Sequence, residues 1–245
     1  MASKSNELVE RLGSIVEPLG FKRIPKTKAF IRLHGDCIFQ CVYWYWQPRC
    51  EYQCLEWWVE SVYTLPKYVF RNYLKYKKMY AFSSTASVSD YIYTEQEYIP
   101  ILKWRAIQNE LDQLSVFREQ ILPRFDRWTK QVDIFKVNEG LKIAHNKECT
   151  RHISEYLSAN MFNLCLHIGR MKTATKCYEA TLALTKSYIM TSLHFRGYMN
   201  EGFIATLQEL EESRELLNNP ERIPRYLSRC REENLQDYKQ LLSGK

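Results

Sequence analysis

Residues 28–63, KAFIRLHGDCIFQCVYWYWQPRCEYQCLEWWVESVY, decide how the chain folds. Apolar and polar residues alternate here at period two, and tyrosine, tryptophan, valine and phenylalanine are dense, which is the pattern of strands. Turn chemistry interrupts the run at His34-Gly35-Asp36 and again at Gln47-Pro48-Arg49. The stretch therefore predicts a curled pair of antiparallel hairpins. A short strand at residues 21–24 precedes it, set off by Pro25-Lys26-Thr27, so the expected strands are 21–24, 28–33, 37–46 and 50–63.

On the N-terminal side, Leu8, Leu12, Ile15, Val16 and Leu19 fall at helical spacing. They predict an amphipathic helix over residues 7–16, ended by Pro18 and Gly20, whose apolar stripe needs the sheet as cover. On the other side, Thr64 can cap a helix over 65–80 that carries Lys67, Arg71, Lys75, Lys77 and Lys78 among tyrosines. A serine-rich connection at 82–90 comes next. Trp104, Ile107, Leu111, Leu114, Phe117 and Ile121 then make a long helical stripe that Pro123 is expected to stop. The first 130 residues thus read as an α+β domain: an antiparallel meander sheet covered by helices.

From residue 131 to 245 no strand pattern survives, and the chain reads as a helical extension. Ile153, Leu157, Leu164 and Ile168 suggest one helix, Gly169-Arg170 a turn, and Ala174, Cys177, Tyr178, Thr181, Leu182 and Tyr188 a second helix packed back on it. Two more are expected at about 202–217 and 232–242, divided by Asn218-Asn219-Pro220. The lone helix pair cannot bury both faces, so the halves are expected to share an interface.

The totals exclude several classes. No apolar run approaches the roughly 20 residues needed to cross a bilayer, and the first residues lead into an amphipathic helix, so a cytoplasmic protein is expected. Eight cysteines spread over 245 residues suit free thiols better than a disulfide scaffold. The formal net charge of +7 is uneven: residues 64–80 hold five basic residues and no acid, and 141–200 hold eight against three.

The first half resembles the bacterial domain-of-unknown-function family 4304. The likeness rests on Leu19-Gly20-Phe21-Lys22-Arg23, Phe30-Ile31-Arg32 with Gly35-Asp36 after it, Ile38-Phe39-Gln40 and Ile121-Leu122-Pro123-Arg124-Phe125-Asp126. The resemblance implies the α+β fold, a bacterial or phage origin and an immunity- or defence-related role, and carries no site residues. Residues 163–184, with Ala174 allowing close helix approach and Tyr178 beside it, are similar to the inner half of a tetratricopeptide-type helix pair.

Candidate chemistry is sparse. Cys37, Cys41, Cys50 and Cys54 point to one face in any hairpin with an even loop near Trp46 or Gln47, and four thiolates can hold zinc. Residues four apart on a strand lie roughly 13 Å apart, however, so buried cysteines are the expectation. His145, Cys149 and His152 share a face on a continuous helix, but no fourth ligand accompanies them, and Lys147 and Arg151 crowd the spot with positive charge. Glu56 and Glu60 read as a solvated strand face. With no phosphate loop, nucleophile elbow or zincin helix, no catalytic residue, metal or cofactor is assigned.

What remains is binding. Trp44, Trp46, Trp57 and Trp58, where exposed, would anchor a protein partner, which makes a non-enzymatic protein-binding module the leading reading. The alternative is a nucleic-acid-binding protein in which those aromatics stack bases while Lys67, Arg71, Lys75 and Lys78 neutralise phosphates.

Overall fold

The computed structural model describes residues 4–47, 52–66, 69–70, 109–125, 161–196 and 201–244. Helix α1 (Lys4–Val16) runs into a 3-10 turn (Glu17–Leu19), which closes at Gly20 in the left-handed region, with φ 86° and its N–H bonded to the Glu17 carbonyl. A four-stranded antiparallel meander follows: β1 (Lys22–Arg23), β2 (Ala29–His34), β3 (Ile38–Gln47) and β4 (Tyr52–Ser61), in spatial order β1-β2-β3-β4. At the β2–β3 turn Gly35 and Asp36 both have φ of 56°, as a type I′ hairpin turn needs. The β3–β4 register pairs Ile38 with Ser61 and Gln47 with Tyr52, so β3 ends and β4 begins slightly later than the sequence suggested.

The sheet is buried on both faces. On one, Phe30, Ile38, Val42, Trp44, Leu55, Trp57 and Val59 share a core with Leu8, Leu12 and Val16 of α1 and with Leu114 and Phe117; on the other, Ala29, Ile31, Phe39, Cys41 and Tyr43 share one with Val69, Phe70 and the C-terminal helix. This double cover explains why β3 is apolar at almost every position, where a strand with one solvated face would alternate. The Trp44 indole N–H donates to the Leu8 carbonyl at 3.0 Å and pins α1 to the sheet. Arg32, also buried, donates to the Gln40 side chain and the Leu19 carbonyl, both at 2.7 Å, and lies 4.6 Å over the Phe21 ring.

Helix α2 (Glu110–Val116), capped by the Asn109 side chain, covers the β4 edge, where the Gln113 side chain accepts the Leu55 N–H at 2.8 Å. Pro123 does not end this helix. A π-helical turn (Phe117–Ile121) precedes it, and the chain continues as α3 (Leu122–Phe125). The wider turn accommodates the N–H that proline lacks and its ring's clash with the preceding carbonyls.

All described residues from 161 onward are helical or connect helices: residues 161–167, α4 (Met171–Arg196), α5 (Glu201–Asn218), a 3-10 turn (Pro220–Arg222) and α6 (Ile223–Ser243). The last helix is the largest departure from the sequence reading. It starts at Ile223 because Pro224 sits in the first turn, where its missing N–H costs nothing. Its first half (Ile223, Tyr226, Leu227, Cys230) joins the core on the α1 face, while Leu235, Tyr238, Leu241 and Leu242 cover the opposite face. The Tyr238 ring packs 5.4 Å from Phe39, and Gly244 approaches Pro25 between β1 and β2.

Candidate functional site

Three elements converge where β4 ends. The turn after it is held from within: Thr64 N–H donates to the Ser61 carbonyl (3.2 Å), and Tyr63 N–H to the Ser61 hydroxyl (3.0 Å). The Glu60 carboxylate accepts from Ser61 N–H (3.0 Å) and from the Thr64 hydroxyl (2.7 Å). Two asparagines from distant helices then bind its carbonyls. Asn234 on α6, wholly buried, donates to Val62 O at 2.9 Å and Thr64 O at 2.7 Å; Asn163 donates to Tyr63 O at 2.8 Å and accepts from the Tyr226 hydroxyl at 3.1 Å.

This clasp fixes Tyr63, whose ring stacks on His167 with centroids 4.0 Å apart and planes 25° from parallel. His167 is aimed by the end of the 161–167 helix, where Gly169 takes φ of 74° and Arg170 N–H returns to the Cys165 carbonyl at 2.8 Å. The two rings wall a surface depression of about 370 Å³, with a floor of Leu166, Ile223, Pro224 and Leu227 and a polar edge of Ser228 and Arg231. Partial desolvation lowers the His167 pKa, so the ring faces the depression largely neutral near pH 7. Arg231 makes no hydrogen bond or ion pair among the described residues.

Ser228 also borders a second groove, between α5 and α6, lined by Glu212, Glu221, Arg222, Arg225, Tyr226, Arg229 and Glu232. Here Arg222 pairs with Glu215 and Arg229 with Glu212, each at 2.7 Å, and Arg229 lies 5.2 Å over the Tyr226 ring. Burial pushes the Tyr226 hydroxyl pKa upward and the Cys230 thiol up to about 11, so both stay protonated at neutral pH.

The residues singled out from sequence lie elsewhere. Trp44 and Trp57 belong to the core, 2% and 7% exposed, with Trp57 packed 6.3 Å from Phe117; in this structure neither is presented to a partner. The side chains of Trp46, Trp58 and Glu56 fall outside the described residues, as do Lys67, Arg71, Lys75, Lys77, Lys78, His145, Cys149 and His152. Cys41 is fully buried, and burial raises its thiol pKa; Cys37 is half-buried at the β2–β3 turn, and the Cys50 and Cys54 side chains are not described. Glu60 corrects the expectation of a solvated strand face: it is 4% exposed, and desolvation lifts its pKa to about 7 against its two hydrogen bonds. Among the described residues no three His, Cys, Asp or Glu gather as metal ligands, and no helix is long and apolar enough to cross a membrane.

Fold and site together define an α+β protein with a sheet between helical layers and an aromatic-walled depression where its two halves meet. No protein-family model matches the chain, and neither a curated protein nor a solved structure is found similar to it.

Proposed function

We propose that the protein is a non-enzymatic, cytoplasmic binding module that engages another protein through the Tyr63–His167 depression. The observation that carries this reading is the stacked pair of rings left accessible above an apolar floor, with the Arg231 guanidinium beside it. Tyrosine and arginine dominate interface energetics because each joins a large contact area to a directional polar group. The floor supplies the apolar centre of such a contact and the arginines its polar rim. The clasp matters for the same reason: a wall fixed before binding loses little conformational entropy on binding.

The test is affinity capture from the native host with the wild type and with a His167→Glu/Arg231→Glu variant. His167 is exposed and Arg231 partly exposed, and circular dichroism of the variant checks that it folds. The wild type recovers a protein that the variant loses. Equal recovery by the two, or turnover of a small substrate by the wild type, overturns the proposal.

A further inference from the structure

The depression has a polarity that specifies what fits it. Residues 222–231 contain Arg222, Arg225, Arg229 and Arg231 and no acidic residue. Glu215 and Glu212 take two of these guanidinium groups. Arg225 and Arg231 have no hydrogen bond or ion pair among the described residues, and they border the two neighbouring depressions that Ser228 separates. An unpaired guanidinium presents parallel N–H donors suited to a carboxylate. Beside Arg231 the rings and the floor of Leu166, Ile223, Pro224 and Leu227 offer room for one large apolar side chain.

We infer that the depression binds an acidic internal segment of a partner protein, inserting an aromatic or branched aliphatic side chain against Tyr63 and His167 and placing an adjacent carboxylate on Arg231. The inference rests on the protein-binding reading above and names its ligand. An internal segment fits better than a chain terminus because the surface continues past Ser228 toward Arg225. A nucleic acid fits less well. Glu212, Glu221 and Glu232 line the second groove among its arginines, so a continuous phosphate backbone would meet repulsion where spaced carboxylates can avoid it.

Selection of short random peptides on the full-length protein tests this, run in parallel on Arg231→Glu and, to separate charge from shape, on Arg231→Gln. The wild type should enrich peptides with an aromatic or aliphatic residue next to Asp or Glu. The Gln variant should bind the enriched peptides about tenfold or more weakly, as expected for a lost charge-assisted pair, and the Glu variant should shift the preference to Lys or Arg. Enriched peptides without acidic residues, or a preference unchanged in Arg231→Glu, overturn the acidic-ligand inference and leave the protein-binding reading standing. Failure of the wild type to enrich any peptide counts against both, and the host capture then decides the broader reading separately. Displacement of enriched peptide by a single-stranded oligonucleotide, lost in Arg231→Gln, assigns the site to nucleic acid instead.

Discussion

Replacing Asn234 with alanine removes a side chain that holds two carbonyls of the β4-exit turn at once. Asn234 is 0% exposed, and its amide donates to Val62 O at 2.9 Å and to Thr64 O at 2.7 Å. Each carbonyl left buried without that donor costs about 1–3 kcal/mol. The loss is partly offset because the Asn234 side-chain oxygen is itself buried with no partner among the described residues, and alanine removes it. The net cost is then about 2–5 kcal/mol, a large share of the roughly 5–15 kcal/mol that holds a typical fold. For a chain of this size it corresponds to a fall in Tm of about 5–20 °C. Asn234→Asp should cost more than alanine, because it sets a second acceptor against two carbonyl oxygens. Urea unfolding followed by far-UV circular dichroism measures both. A stability for Asn234→Ala within about 0.5 kcal/mol of wild type, or an aspartate variant as stable as asparagine, would refute the clasp as the joint between the sheet and α6.

Glu60 should make stability depend on pH in a definite direction. Its folded pKa, about 7, lies above the unfolded value near 4.5, so its contribution is complete below about pH 4.5 and is lost as pH rises through 7. Glu60→Gln should match the wild type at pH 4 and exceed it at pH 8 by on the order of 3 kcal/mol; greater wild-type stability at pH 8 reverses the sign and defeats the reasoning. Gln113→Ala leaves the buried Leu55 N–H without its acceptor and should cost about 1–3 kcal/mol in the same unfolding assay. Trp44→Phe, which loses the bond to Leu8 O and some core volume, should cost about 1–3 kcal/mol. It should also speed hydrogen exchange in α1 before the rest of the sheet, and uniform acceleration would contradict the pinning role.

Local pattern made much of this legible. Turn residues at Gly35-Asp36 and the β-rich run between 28 and 63 were enough for the meander, and the spacing of Leu8, Leu12 and Val16 for α1, because those signals depend on neighbours in sequence. The expected helix at 232–242 supplies the second cover of the sheet, but its extension back to Ile223, which packs on the α1 face, was hidden for the opposite reason. The α6 stripe from Ile223 through Tyr226, Leu227, Cys230, Asn234 and Leu241 has helical spacing, but Pro224 and the interspersed arginines resemble a loop, and Asn234 breaks the apolar run at its centre. The tryptophans were conspicuous as residues, yet Trp44 and Trp57 are core, since whether an aromatic is buried depends on what is packed over it. Tyr63, His167 and Arg231 carried no signal at all. They are far apart in the chain, and the clasp of Asn163 and Asn234, with the core packing of Leu166, Ile223 and Leu227, brings them together.

Amide hydrogen exchange of the full-length protein, alone and saturated with the partner recovered from the host, tests the binding reading most directly. Protection should appear in residues 61–65, 166–168 and 223–231 and nowhere comparably strong. Protection centred instead on the exposed Tyr188, Met190, Leu193 and Ile204 of α4 and α5, with those three segments unchanged, would place the interface elsewhere and contradict the account.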